Sequence, residues 1–180
     1  MPFETEDRTD GIVIRKIVPA DDASVASIIR SVMTEFCCNR EGFAIHDAEV
    51  SAMSAAYRGE DAEYYVVVEA GAVLGCGGFA KLAGTQADER TCELRKMYFR
   101  KELRGRGIGE RLLRLLLERM AKAGYARCYL ETTEQMLEAR KLYERMGFTA
   151  LGANLGATGH HGCDRYYLKD LDLGQYPSPA

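Results

Sequence analysis

The sequence predicts one α/β domain (α+β mixed), built on a single mixed sheet of about seven strands with helices on both faces. Three observations carry this. Runs with apolar residues at every second position alternate with runs at helical spacing. In chain order they read β-α-α-β-β-β-α-β-α-β-β, with no repeat and no linker, and one sheet covered by helices is the natural packing of that order. The 180 residues, 47% of them apolar, suit one core that needs no disulfide or metal to hold it. The domain is expected over 11–172, between a flexible tail at 1–10 and another at 173–180.

Each element has its own signal. Met1 to Asp10 is polar, with four acids and one Arg, and predicts a tail. Ile12 to Ile17 (IVIRKI) alternates with period two and predicts a strand. Asp21 or Asp22 is placed to cap a helix with Val25, Ile28, Ile29 and Val32 on one face. Cys37 to Asp47 is irregular around Gly42, and a short helix follows over about Ala48 to Tyr57. Tyr64 to Glu69 (YYVVVE) and Ala72 to Lys81 form a hairpin across Ala70-Gly71, the second strand weakened by Gly75, Gly77 and Gly78. After a polar loop at Gly84 to Arg90 comes the strand Cys92 to Phe99 (CELRKMYF). A helix over Ile108 to Ala123 carries Ile108, Leu112, Leu116 and Met120 at four-residue spacing and stops at Gly124. Arg127 to Glu131 is a strand. Thr132 with Gln135 makes a capping box for a helix bearing Met136, Ala139, Tyr143 and Met146, which Gly147 ends. Phe148 opens a short strand, Asp164 to Leu171 is the last strand, and Gln175 to Ala180 is a frayed tail.

Composition excludes several classes. A net charge of -3 does not suit a nucleic-acid or membrane-surface protein. No run approaches the roughly 20 apolar residues of a membrane span. The acidic N-terminus lacks the basic and apolar regions of a signal peptide, so a cytoplasmic location is expected. The six cysteines (37, 38, 76, 92, 128 and 163) form no metal-ligand ladder and read as reduced, mostly structural thiols, with Cys37-Cys38 a vicinal pair in a loop.

The chemistry concentrates at Arg104 to Gly109 (RGRGIG), where a strand hands over to a helix. Glycine permits a sharp bend and close backbone approach to a ligand. The N–H groups of such a turn and of the helix N-terminus converge on an anion. Residues 95–114 hold eight basic side chains and two acids, so the segment is +6 and the remainder of the chain -9. This reads as a pyrophosphate cradle on an acidic protein. Neither GxGxxG nor GK[ST] is present, which excludes the dinucleotide fingerprint and the P-loop. A glycine-rich helix entry with solvated charges is the plain structural alternative.

These residues resemble the GNAT superfamily of acyl-CoA N-acyltransferases. RGRGIG matches that family's (Q/R)xxGx(G/A) signature, CELRKMYF resembles the strand before it, and Ala139 to Phe148 (ARKLYERMGF) resembles the helix that ends in LYE-x-x-GF. The resemblance spans Ile12 to Leu171 and implies a GNAT-type, mostly antiparallel sheet. It implies direct attack of a neutral amine on the thioester of acetyl-CoA, a co-substrate, with no metal. The cofactor-binding residues it implies are Arg104, Gly105, Arg106, Gly107, Ile108 and Gly109 for the pyrophosphate. Met97 and Phe99 are implied for the pantetheine, and Met97 or Tyr98 as oxyanion donor. Many members carry an Asn after the next strand; Thr132-Thr133 stands there, and Thr132 is the implied substitute or only a helix cap.

Tyr143 matches the family tyrosine that protonates the departing thiolate, and it also lies on an apolar stripe where it could simply pack. Glu93, 11 positions before Arg104, has the spacing of a family general base, or it pairs with Arg95 or another basic neighbour. His160, His161 and Asp164, in the loop before the last strand, are expected on the acceptor side, with Phe43, His46 and Asp47 lining the opposite side. The histidine pair beside Cys163 looks metal-like, but adjacent histidines on an extended loop point apart, so no metal is expected. The implied activity is N-acetylation of a primary amine on a small or amino-acid-like molecule, the acceptor being read as cationic from the acidity outside the basic segment. Alternatives are protein or peptide N-acetylation and a non-catalytic acyl-CoA sensor. No nucleic-acid or membrane partner is expected, and a homodimer through sheet edges or C-terminal strands is the implied assembly.

Overall fold

Residues 7–86 and 89–171 are described by a computed structural model. The N-terminal reading at 1–6, two positions of the polar loop and the C-terminal tail from 172 lie outside the described residues.

Among the described residues the strands are β1 (Asp7–Thr9), β2 (Ile12–Lys16), β3 (Glu63–Glu69), β4 (Ala72–Lys81), β5 (Thr91–Phe99), β6 (Arg127–Thr132), β7 (Thr149–Leu151) and β8 (Arg165–Asp170). The α-helices are α1 (Asp22–Glu35), α2 (Met53–Ala56), α3 (Ile108–Lys122) and α4 (Leu137–Arg145). One sheet runs β1-β2-β3-β4-β5-β6-β8-β7. Every neighbouring pair is antiparallel except β5 and β6, which are parallel. The mixed, mostly antiparallel sheet with helices on both faces is therefore as the sequence predicts.

Alternation along β3 assigns the two layers. Tyr65 and Val67 pack with Ile12, Ile14 and Phe79 against Leu112, Leu113, Leu116 and Met120 of α3. Tyr64 and Val66 face the other way, against Val25, Ile28 and Ile29 of α1 and Met53 of α2. The apolar stripes of the helices and the period of two in the strands meet in these two cores.

Four local expectations are corrected. The expected N-terminal tail supplies β1, because Asp10 and Gly11, with φ of +54° and +75°, close a two-residue hairpin that sets Thr9 opposite Ile12. Asp21 is the N-cap residue of α1, as one of the two readings has it, but neither Asp21 nor Asp22 makes a side-chain cap bond to the helix. Asp21 instead accepts a fork from Arg15 at 2.7 and 2.9 Å, and Asp22 accepts the Ser54 N–H and hydroxyl at 2.7 Å each. The helix expected over 48–57 is a 3-10 turn at Ala48–Ser51 followed by the single turn of α2. Thr132 forms no capping box: it is paired with Arg165 in the sheet, and Met136, without a side-chain cap, precedes α4.

Gly78 of β4 is paired with Tyr64 of β3, and an added Cβ there would lie 2.3 Å from the Glu63 carbonyl oxygen and 2.4 Å from the Tyr64 ring. Backbone cannot yield there as a flexible side chain would. Gly78→Ala is therefore expected to destabilise the fold by about 1–3 kcal/mol in urea unfolding. Gly152→Ala, where a Cβ meets nothing within 4 Å, should stay within about 0.5 kcal/mol of the parent.

Candidate active site

The site begins where two strands part. β5 and β6 are in register only at Thr91–Arg127, Cys92–Cys128 and Glu93–Tyr129. Beyond Glu93, β6 continues against β8 through Thr132, while β5 runs on to Phe99 without it. Within that stretch β5 bulges: Arg95 pairs with Gly78 and Tyr98 with Cys76, so Lys96 and Met97 together oppose Gly77. Lys96 takes the left-handed conformation at φ +47°. Its carbonyl accepts the Tyr64 hydroxyl at 2.7 Å and the Cys76 thiol at 3.7 Å. A trans peptide holds N–H and C=O on opposite sides, so the Met97 N–H points away from Tyr64.

A cavity of about 510 Å³ lies along this stretch, bounded by Met97, Tyr98 and Phe99 of β5, Val32 and Phe36 at the end of α1, the 103–109 loop and the start of α4. Gly105 and Gly107 both have positive φ, +72° and +76°, and Gly107 is the N-cap of α3. The first N–H groups of a helix have no intrahelical partner. Their exposure on a cavity wall makes an anion-binding end, with the positive end of the α3 dipole behind it.

Of the cofactor-binding residues expected from sequence, Met97, Tyr98, Phe99, Arg104, Gly105, Gly107, Ile108 and Gly109 line this cavity, while Arg106 and Thr132 do not. The charge arithmetic is corrected as well. Arg104 donates to the Phe99 carbonyl at 2.9 Å and forks onto Glu35 at 2.8 and 3.0 Å. Arg106 forks onto Glu69 at 2.7 and 3.1 Å. Arg95 and Lys96 are also paired with carboxylates outside the segment, Glu93 for the one and Asp47 and Glu49 for the other, so much of the +6 is neutralised by acids from elsewhere in the chain. Sequence reading missed Arg145, at the end of α4, which lines the cavity and has no carboxylate partner among the described residues. Its only signal was its place within the LYERMGF signature.

The other polar centre lies on the α1 face of the sheet. Glu93 is buried and accepts Arg95 Nε at 2.7 Å, the second of its two sequence readings. Lys96, its side chain 2% exposed, bridges Asp47 at 2.7 Å and Glu49 at 2.5 Å. Tyr57 donates to the same Glu49. Asp47 and His160, placed by sequence on opposite sides, meet directly, with His160 Nε2 3.0 Å from Asp47 Oδ2. On β6, Tyr129 and Thr158 donate to Glu131 at 2.8 and 2.9 Å, and the Leu155 N–H donates to Tyr129 Oη. Sequence reading missed Lys96, Glu49 and Glu131 as members of this network.

The remaining candidates do other work. Phe43 is buried with its ring against Gly162, and His161 lies over Gly42. His46 contacts the Asn39 carbonyl, and Asp164 accepts the Glu134 N–H. Thr132 is buried, and its hydroxyl has no partner among the described residues. Tyr143 is buried against Phe148 and Tyr167, and burial pushes its phenol well above the ordinary value. Cys38 is buried near Thr133, and Cys37 is exposed with no disulfide between them.

The Asp47–His160 pair has a defined pH behaviour. Burial opposes ionisation of Asp47, but hydrogen bonds from His160 and Lys96 outweigh it and hold the carboxyl at about 2. The hydrogen bond that the His160 imidazole donates to Asp47 raises the pKa of the imidazole. Its stabilising contribution is thus complete below the unfolded value of about 6.5 and is lost as pH rises through the raised folded value. In an NMR titration His160 is expected to titrate above about 6.5, and Asp47→Asn is expected to lower that midpoint. An unmoved midpoint would contradict the pairing.

Comparison with known proteins places this geometry. Residues 29–148 match the family described as Acetyltransferase (GNAT) family. The Escherichia coli N-acetyltransferase YjgM, itself uncharacterised, is 36% identical over 160 residues, 88% of this chain and 95% of that one. Human N-acetylaspartate synthetase is 34% identical over 110 residues, which are 61% of this chain and 32% of that protein. Among solved structures, a GNAT-family acetyltransferase from Staphylococcus aureus superposes with a TM-score of 0.73 at 18% identity, covering 89% of this chain and 99% of that one. The structure of yncA from Salmonella typhimurium with its cofactor acetyl-CoA gives 0.70 at 19% identity, covering 95% and 99%. The fold is thus that of the solved GNAT acetyltransferases, and the chain belongs to the GNAT acetyltransferase family as an N-acetyltransferase.

Proposed function

We propose that the protein transfers the acetyl group of acetyl-CoA to the primary amine of a small, amino-acid-like molecule. The observation that carries this is the continuity of three features: the N–H cradle at Gly105–Gly109, the cavity of about 510 Å³, and the free edge of β5 with its turned Met97 N–H. Diphosphate suits the cradle, and Arg145 supplies the cation that Arg104 and Arg106 have committed to Glu35 and Glu69. The apolar wall of Val32, Phe36 and Leu142 suits the pantetheine arm, whose amides would pair with the peptide groups at Met97 and Phe99.

The chain's own groups then account for the transfer. The Met97 N–H meets the oxyanion formed when the amine adds to the thioester carbonyl; a donor in that role is worth about 2.7–4 kcal/mol of barrier. Tyr143, kept protonated by burial, supplies the proton to the departing thiolate. On the acceptor side, Arg95, Lys96 and His160 interleave with Asp47, Glu49, Glu93 and Glu131, a mixture suited to an amino acid with both charges rather than to a simple cation. The relation to N-acetylaspartate synthetase supports an amino-acid acceptor.

CoA is expected to raise the thermal midpoint of the protein, and acetyl-CoA to release free thiol with at least one member of a panel of amino acids, polyamines and other amines. Protection without turnover across the panel would instead make the protein an acyl-CoA sensor. Tyr143→Phe should lower kcat by about 100-fold or more while leaving CoA protection intact, as removal of a general acid does. An unchanged kcat would leave Tyr143 with packing alone.

A further inference from the structure

Resting on the acetyl-transfer reading, we infer that Glu131, and not Glu93, takes the proton from the acceptor's ammonium group. The two carboxylates share one face of the sheet: Glu93 is opposite Tyr129, and Glu131 lies two residues on. Their partners differ in kind. Glu93, its side chain 4% exposed, is bonded to Arg95 Nε, and Arg95 is anchored in turn on the Lys81 carbonyl. Protonating Glu93 would strand a half-buried guanidinium. Glu131 is half-buried, and its two oxygens accept only neutral hydroxyls, Tyr129 on one and Thr158 on the other. It has no ion-pair partner among the described residues, so a proton placed on it leaves no charge uncompensated. Each oxygen also retains a lone pair for an incoming N–H.

Position agrees with partners. Glu131 is the penultimate residue of β6, beyond the point where β5 has separated. The next residue, Thr132, is 5% exposed and its hydroxyl is unpartnered among the described residues, so this strand end holds hydrogen-bonding capacity the folded chain does not use. The groups facing Glu131 are Tyr129 on its own strand, Glu93 on β5, Thr158, His160 and Cys163 in the loop before β8, and Tyr166 on β8. Burial raises the Glu131 carboxyl and the charge of Glu93 raises it further, while the Tyr129 and Thr158 hydrogen bonds and His160 oppose them. A carboxylate raised towards neutrality is the better base for an ammonium.

The protons balance as follows. The carboxylate removes one proton from R–NH3+ and later releases it to solvent. The freed lone pair forms the N–C bond, the C–S bond breaks, and Tyr143 protonates the sulfur. The second nitrogen proton, shed as the amide forms, restores the Tyr143 phenol.

The test is the pH dependence of kcat/KM for the most active alkylamine of the panel, in four proteins. Glu131→Gln is expected to lose about 10²–10⁴-fold and its acid limb, with a far smaller loss towards methoxyamine, which is neutral at pH 7. Glu93→Gln should keep the acid limb. Thr158→Val, which removes a donor to the carboxylate, should shift that limb to higher pH. Equal CoA protection in the parent and Glu131→Gln shows that the fold is intact; if Glu131→Gln does not fold, the Thr158→Val shift decides. A retained limb in Glu131→Gln, a lost one in Glu93→Gln, or an unmoved one in Thr158→Val overturns the assignment while leaving acetyl transfer standing. A parent protein that turns over no amine overturns both.

Discussion

The short parallel pairing of β5 and β6 is the constraint on which the rest of the molecule depends. Parallel neighbours cannot be joined by a hairpin, so the chain must cross over, and here it does so through α3. The crossover sets a helix N-terminus at the end of β5, with the glycine turn feeding it. Because pairing stops after Glu93, the β5 edge stays open beside that helix end. A longer ladder would fill the groove with sheet hydrogen bonds and leave the cradle facing a wall. The bulge lies in the stretch of β5 beyond that opening, where the Lys96 carbonyl is held by Tyr64 of β3 and Cys76 of β4.

Charge in this protein is arranged by contact more than by region. Summed along the sequence, residues 95–114 look strongly basic. In space, Glu35 from α1 and Glu69 from β3 reach the two arginines of the glycine loop, and Asp47 and Glu49 reach Lys96. Paired in this way the arginines fix the loop's shape: Arg104 ties it to the Phe99 carbonyl and to α1 at once. In the proposed complex the attraction for phosphate would then fall to backbone N–H groups, which cost no side-chain ordering on binding, and to Arg145.

Most of the fold was legible because its elements are strongly periodic. YYVVVE and the leucine-rich α3 each carry one period and lie where that period puts them, and CELRKMYF is a strand as its pattern predicts, with its period broken at the bulge. β1 was also legible, since Asp10-Gly11 is a hairpin dipeptide, but the acidity of the tail obscured it. The expected side-chain caps failed for a common reason. Asp21, Asp22 and Thr132 are short polar residues at element boundaries, and each was claimed by a tertiary partner or by the sheet rather than by its own helix. In the site, the glycine loop was readable because its chemistry is local. Asp47 and His160 were each suspected, but their contact joins residues 113 apart in sequence, which no local pattern encodes.

In the proposed reaction, that long-range contact also locates where acceptor choice would be decided. The sheet would supply the donor groove. The side proposed for the acceptor is closed by two irregular segments, 37–52 and 152–164, that touch at Asp47–His160, at the Gly162 N–H on the Gly42 carbonyl, and where Phe43 packs on Gly162. Neither segment has a β ladder or a long helix to hold it, so each takes its shape from the other. Gly42 and Gly162 admit no side chain at that junction, because an added Cβ would fall within 2.5 Å of the His161 ring or 2.6 Å of the Phe43 ring. A residue changed in one loop therefore alters the other. Lys96 links both to β5, through Asp47 and Glu49 from the first loop and, by way of Asp47, His160 from the second. On the proposed reading, selectivity for the amine would for this reason be a property of the loop pair as a unit, transmitted by a lysine whose backbone is part of the bulge itself.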